Sequence, residues 1–324
     1  MPLTQLNFQP GLDTENTPTG AEGRWVDGDK IRFRKGLPQK IGGWTKFSTG
    51  YYIGVGRALE QWFSLDGGRY EAIGTDRKIY TYASGISQDI TPIRSTDALV
   101  NAISTTTSSN IVTITDSGHG ASQGDFVTLS NVSATVGGLT ASVLDAEYEI
   151  LTISNTNAYT VQSSGTANAN VAPTANCTAN YQIGIGPSIQ TFGFGWGSGT
   201  WNTGTWGTAR SSSNVVLDAR LWSINNWGED LIITQRDGST YEWDTSLGMS
   251  NNRATVIANA PTNSTLSMIS TETRHVVCLG TETAIGNTAS VDKMFIRWSD
   301  QENYNQWTPN VTNSAGSQRI AGGS

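Results

Sequence analysis

The sequence predicts an all-β protein, with propeller-like repeats of four-stranded blades and an inserted β-sandwich or small β-barrel domain. Three observations carry that prediction. No window of about 11 residues keeps apolar positions at i, i+3, i+4 and i+7, because Gly, Thr, Ser and Asn interrupt every candidate helix. One pattern of short strand-like segments recurs along the chain, each copy about 40 residues long, the size of a blade that cannot bury its faces alone and must stack. Between the first two full copies lies a segment of different character, poor in Trp and rich in Thr, Ser, Asn and Ala.

The elements follow in chain order. Residues 1–19 read as an N-terminal arm. Residues 20–96 read as the first part of the propeller. There Asp27-Gly28 marks a turn, and Lys30-Ile31-Arg32-Phe33-Arg34 alternates so that Ile31 and Phe33 share one face and three cations the other. The segment ending Ile41-Gly42-Gly43-Trp44 is a partial copy of the repeat. The first full copy runs Gln61–Asp66, Tyr70–Thr75, Arg77–Tyr82 and Asp89–Ile93. Residues 97–186 read as the inserted β domain, with strands at Ile111–Thr115, Asp125–Leu129, Glu147–Ile153 and Ala158–Val161 and a Gly137-Gly138 turn. Residues 187–324 return to blades. Their second copy runs Leu221–Asn225, Asp230–Thr234, Gly238–Asp244 and Arg253–Ile257, and a weaker third Arg274–Gly280, Lys293–Ser299 and Asn305–Pro309. Trp62 and Trp222 fall at equivalent places and are expected buried at matching positions. The sequence ends at Ala321-Gly322-Gly323-Ser324, where another blade would open, so either the ring is incomplete or the sequence is cut short.

Composition narrows the function. Of 324 residues, 15% are charged, while Trp, Tyr and Phe number 11, 10 and 8, a pattern opposite to that of disordered chains. The 33 Ser and 42 Thr suit exposed strands and turns. No run approaches the roughly 18 apolar residues of a membrane helix, and Met1 to Pro10 lacks the basic and apolar regions of a secretion signal. A soluble protein is expected. The net charge of −7 and pI near 4.9 argue against a phosphate-binding surface. Cys177 and Cys278 stand about a hundred positions apart without partners at ligand spacing, so both are expected reduced and buried.

Motifs for catalysis are weak. Gly193-Phe194-Gly195-Trp196-Gly197 has the glycines of a phosphate loop but no helix opening after them. Glu229 and Asp230 are adjacent, so on a strand their side chains diverge. With only His119 and His275, and His119 in a Gly-flanked turn, a histidine-based acid/base centre or zinc site has little to draw on. Hence the expectation is no enzyme, no cofactor and no metal. The most distinctive local feature is Trp196 to Gly207, which places Trp196, Trp201 and Trp206 five residues apart in a Gly and Thr matrix. These three are the candidate subunit or partner contact. Packing between blades and an exposed platform for sugar rings are the other readings.

The stretch Gly11-Leu12-Asp13 through Glu22-Gly23-Arg24-Trp25-Val26-Asp27-Gly28-Asp29-Lys30-Ile31-Arg32-Phe33-Arg34, closing with Gly36 to Trp44, resembles the opening of a group of tailed-bacteriophage virion proteins. Trp222 to Asp230 and Arg297-Trp298-Ser299-Asp300-Gln301-Glu302 are similar to the same group. This resemblance implies a tail nozzle or tail tube component of short-tailed phages. Such a protein is made in the host cytoplasm and sits in the virion as a ring of identical chains, six by analogy, below the portal. It would bind the adaptor, or head-to-tail connector, above and other tail proteins below, while DNA passes through without specific binding. A receptor- or glycan-binding propeller is the alternative, and a propeller hydrolase a weaker one.

Overall fold

The computed structural model describes residues 9–43, 45–46, 50–65, 67–184, 186, 219–250 and 252–321. They fall into two compact units, Met1–Thr49 and Gly50–Ser324. In the first, β1 (Gln9–Leu12) runs parallel to β2 (Arg24–Trp25), and β3 (Ile31–Arg34) forms a hairpin with β4 (Leu37–Lys40). Its two-residue turn, Lys35-Gly36, has both φ angles positive, the handedness that matches strand twist. As the alternation predicts, Ile31 and Phe33 are half-buried while Arg32 and Arg34 are exposed. The partial blade copy is thus a two-stranded hairpin.

The second unit contains three four-stranded antiparallel sheets, each in sequential order. Blade 1 comprises β5 (Gly56–Phe63), β6 (Arg69–Thr75), β7 (Ile79–Ala83) and β8 (Ile86–Asp89). An eight-stranded middle sheet follows: β9 (Ile93–Leu99), β10 (Ile103–Thr105), β11 (Ile111–Thr115), β12 (Phe126–Ser130), β13 (Glu147–Asn155), β14 (Ala158–Gln162), β15 (Val171–Thr174) and β16 (Cys177–Gln182). Blade 2 comprises β17 (Trp222–Trp227), β18 (Asp230–Gln235), β19 (Thr240–Trp243) and β20 (Thr255–Val256). Blade 3 comprises β21 (Leu266–Ile269), β22 (Val276–Leu279), β23 (Phe295–Trp298) and β24 (Gly316–Arg319). The fold is all-β, and the single turn of helix α1 (Ala141–Leu144) is the α-helix of the described residues.

Strand alternation explains how the blades stack. Trp62, Ala72 and Ile79 lie on one face of blade 1, and Trp222, Leu231, Ile233, Tyr241 and Trp243 on one face of blade 2; together they form one buried core. The opposite face of blade 2 carries Trp227 and Ile232, which join Val276 and Cys278 of blade 3 in another core. First strands line up, with β17 packed against both β5 and β21. The third copy differs from expectation at its end. Asn305–Pro309 is a loop whose Trp307 is fully buried, and the fourth strand is Gly316–Arg319. Pro309 has no N–H to give a ladder, so that segment is poorly suited to pairing.

In the middle sheet the expected strands all appear, and β9, β10, β15 and β16 join them. Strand β13 pairs with β12 through residues 147–149 and with β14 through residues 150–155, so one strand serves both halves. Both halves share one core, including Ile103, Val127, Ile150, Tyr159 and Tyr181. Strands β15 and β9 end the order and do not pair with each other, so the sheet does not close and the sandwich alternative describes it better than a barrel. Its first and last strands, β9 and β16, are antiparallel neighbours, and Ile183 N–H donates to Pro92 O just outside them. The chain therefore leaves blade 1 and returns beside the same point. The Gly137-Gly138 turn is present, both residues at positive φ.

Candidate functional site

Two constructions hold the second unit together: the aromatic seam between blades 1 and 2, and a buried ionic joint where both meet the middle sheet. In the seam, Trp62 stacks on Tyr70 at 5.4 Å and meets Trp243 edge-on at 6.3 Å. Its indole N–H donates to Glu229 O at 2.9 Å, so the polar end of a buried Trp is satisfied across the seam. From the other side, Trp222 donates to Thr75 O at 2.7 Å and lies against Gly74.

Trp62 and Trp222 are both buried, but they are not matching positions. They face each other across one seam, whereas the residue of blade 2 that points onward to the next blade, as Trp62 does, is Trp227. Matched by their first aromatic residue, the two copies stand out of register by five residues, the odd separation of Trp222 from Trp227. On a strand this reverses the face.

The ionic joint centres on Lys78, whose side chain is 1% exposed. Its Nζ donates to Asp89 Oδ2 at 2.8 Å and to Glu147 Oε1, and sits 4.2 Å from the Phe126 ring centroid. Arg253 of blade 2 lies 3.4 Å from Asp89 and 3.6 Å from Glu147, and donates to Thr91 O. Gln182 Nε2 completes the set by donating to Glu147 Oε2 at 2.5 Å. Nearby, Arg77 pairs with Glu149 at 2.5 Å and donates to Gly124 O. Burial pushes the Asp89 carboxyl up, yet the Lys78 and Arg253 charges outweigh it and hold the group below the usual carboxylate range. Asp125, on the same flank, is raised by burial. Nothing in the spacing of Lys78, Asp89, Glu147 and Arg253 announces this cluster, since each sits in a segment that reads as ordinary strand or turn. Only strand pairing over long separations brings them together.

The residues singled out from sequence fall elsewhere. Trp196, Trp201 and Trp206, with the whole run from Gly193 to Gly207, lie outside the described residues, as does Trp44. His119 is buried at a turn, its Nδ1 accepting from Ala121 N–H at 3.1 Å and its Nε2 3.2 Å from Asn155 O, which fixes the Nε2–H tautomer of a structural residue. Both cysteines are free and buried, and burial pushes each thiol up to about 11. Glu229 and Asp230 diverge into separate duties: Glu229 Oε1 accepts from Leu65 N–H at 2.6 Å and Asp230 Oδ1 from Thr245 N–H at 3.1 Å. In the core of the middle sheet, Tyr181 donates to Asp116 at 2.5 Å and lies 3.0 Å from the Tyr159 hydroxyl; burial, foremost, raises both phenols.

An open groove of about 460 Å³ on the middle sheet is lined by Tyr148, Leu151, Gln162 and Ser163, with Glu147 and Glu149 at its edge. Both carboxylates are engaged by Lys78, Gln182 and Arg77, an arrangement for holding elements in place. Among the described residues, no group of three or more His, Cys, Asp or Glu is placed to hold a metal ion, and no helix is long and apolar enough to cross a membrane.

No protein-family model matches the sequence, and no curated protein matches it. Among solved structures, the chain is similar to the phage phi92 endosialidase, with 11% identity over 88% of this chain and a TM-score of 0.25. It spans 40% of the length of that protein. A superposition of this quality carries no inference for function or fold.

Proposed function

We propose that the chain is a structural component of a bacteriophage tail, a nozzle or tail tube protein whose copies form a ring-shaped conduit below the portal and adaptor. The observation that carries this reading is the resemblance of residues 11–44 to the opening of tailed-phage virion proteins. The stacked blades agree with it, because their interior is spent on aromatic seams and a buried ionic joint, features that give shape and rigidity. An acidic chain suits a lumen that must pass DNA without retaining it. In this reading residues 97–186 are an insertion projecting from the blades, Trp196, Trp201 and Trp206 contact a neighbouring subunit, and the protein performs no catalysis.

Recruitment decides it. Purified protein added to tailless, adaptor-bearing particles should bind stoichiometrically and extend the visible tail in electron micrographs. A protein that ignores such particles but retains specific glycans on an array would instead be a receptor-binding module, with the Trp run as its platform.

A further inference from the structure

The burial of Lys78 equips it for chemistry as well as for pairing. Its side chain is 1% exposed, and its Nζ lies 2.8 Å from Asp89 Oδ2, against Glu147 Oε1 and 4.2 Å from the Phe126 ring centroid. Strand register holds the first two together: Tyr80 stands opposite Asp89 in the β7–β8 pair, so Lys78 is one diagonal step from Asp89 on the same face. An amine, a carboxyl group that can receive it and a second carboxylate that can carry protons thus meet where bulk water scarcely reaches the nitrogen.

The remaining contacts give the two carboxyl groups different roles. Asp89 Oδ1 accepts from Thr91 N–H at 2.8 Å, a backbone donor fixed where negative charge would gather if Cγ became tetrahedral. Asp89 Oδ2 faces Lys78, with Arg253 Nη1 at 3.4 Å. Glu147 keeps Oε2 on Gln182, which turns Oε1 to the amine. Its side chain is 30% exposed at the edge of the open groove, so a displaced water has a way out. Charge also balances. The joint holds two cations and two anions; linking Lys78 to Asp89 removes one of each and leaves Arg253 beside Glu147 at 3.6 Å, so no buried charge is stranded.

We propose that Lys78 and Asp89 condense spontaneously in the folded chain to an intramolecular amide, with Glu147 as the proton carrier. The reactants are the Lys78 ammonium and the Asp89 carboxylate. Glu147 takes one proton from Nζ and delivers it to Asp89 Oδ2; the freed amine attacks Cγ, and negative charge collects on Oδ1 against Thr91 N–H. Glu147 then moves a second proton from the nitrogen to Oδ2, the Cγ–Oδ2 bond breaks, and water leaves while the third proton stays on the new amide. No oxidant or activated intermediate is required. Fixing the reactants in contact supplies effective concentrations of about 10⁵–10⁸ M, which is what an unactivated carboxyl group needs. The event happens once per chain, with nothing turned over. The ionic joint is its starting state, and Asp89 titrates only in chain of full mass. This inference stands on the joint alone and is independent of the tail reading above.

Intact-mass spectrometry tests it. Wild-type chain, purified folded and held at neutral pH and physiological temperature, should become one water lighter than its sequence requires, with no change in circular dichroism. Trypsin should then release residues 78–94 as one peptide, uncut after Lys78 and lighter by the same water, and fragmentation should place the link between Lys78 and Asp89. Chain unfolded in urea before the loss is complete should lose no more. Glu147→Gln should slow the loss by about 10²–10⁴-fold, the usual contribution of a positioned proton carrier. Lys78→Met and Asp89→Ala should abolish it. Should a variant fail to fold, the wild-type mass and its peptide still decide. A folded wild type that keeps its full mass through days of incubation would overturn the proposal. So would a link from Lys78 to Glu147, or loss of water at the wild-type rate in folded Glu147→Gln or Asp89→Ala.

Discussion

Gly74→Ala tests the blade seam with a single methyl group. Gly74 sits in β6, and its φ is not in the left-handed region, so the backbone itself accepts alanine. If only chain entropy mattered, the substitution would stabilise the protein by about 0.4–1 kcal/mol, through a less flexible unfolded state. Packing predicts the opposite sign. A Cβ at Gly74 would stand 2.6 Å from Cδ1, 2.8 Å from Cγ and 3.0 Å from Cβ of Trp222, against a comfortable carbon separation of about 3.5–4.0 Å. The overlap is with the root of the indole and not a movable tip. Trp222 has little freedom to retreat, being 6% exposed and held by its bond to Thr75 O at 2.7 Å. Overpacking of this kind costs about 1–3 kcal/mol, enough to reverse the entropic gain.

Thermal unfolding followed by circular dichroism and Trp fluorescence reads the effect, at roughly 2–4 °C per kcal/mol for a chain of a few hundred residues. Gly56→Ala is the matched control, on the same blade, where a Cβ would find Ile73 Cγ2 at an unstrained 3.7 Å. It should be neutral or slightly stabilising. Trp222→Ala should cost about 3–5 kcal/mol on its own by opening a cavity, and in that background Gly74→Ala should cost nothing or recover stability. Equal effects of Gly74→Ala with and without the indole would refute the seam as described.

Three other outcomes follow from the joint and the buried thiols. Lys78→Met should lose about 1–3 kcal/mol in the same melts, because the part-buried Asp89 and the part-exposed Glu147 then face each other with only the more distant Arg253 between them; an unchanged melting temperature would contradict the joint. Asp89 has a folded pKa below its unfolded value of about 3.9, so its contribution is full above that value and is lost as pH falls through the folded pKa. The difference in melting temperature between wild type and Asp89→Asn should accordingly shrink as the pH falls below about 4, and a gap that does not narrow on acidification would show that Asp89 gains nothing from its cations. Cys177 and Cys278, with thiols pushed up to about 11, should resist a thiol-reactive dye at pH 8 until denaturant is added; two equivalents of rapid reaction in the native protein would place them at the surface instead.

The sequence made the strands legible because they read either as alternating segments, as in Ile31 to Arg34, or as short apolar runs bounded by turns, as in Leu231 to Ile233, and because helix periodicity is missing. Turn glycines were equally plain, Gly137-Gly138 among them. Facing was harder. Trp62 and Trp222 look equivalent in a linear comparison, but which side of a sheet a residue occupies depends on register to the residue, and only pairing such as Trp62 with Tyr70 and Trp222 with Gln235 settles it. Short strands without aromatic residues, such as β10 (Ile-Ser-Thr) and β15 (Val-Ala-Pro-Thr), are not legible because three or four such residues, a Pro among them, are equally at home in loops. The ionic joint was illegible for a different reason: a Lys on a strand normally signals a wet face, and it is Asp89 of the same blade together with Glu147 from another sheet that makes burial of Lys78 tolerable.

That contrast separates two kinds of connection. Between blades the contacts are apolar and aromatic, so the gain grows with area and depends little on exact orientation. Between the blades and the middle sheet the core residues are supplied separately by each side, and what crosses the boundary is Lys78 and Arg253 against Glu147, backed by Arg77 against Glu149. A buried ionic set of this kind adds little net stability once desolvation is counted, but any misplacement leaves a charge unpaired and is strongly unfavourable. The joint therefore fixes how the middle sheet stands on the blades more than whether it stays. Since β9 and β16 enter and leave as a hydrogen-bonded pair, they already tether the sheet at one edge, and the charges at Glu147 and Glu149 on β13 supply the second, orienting attachment.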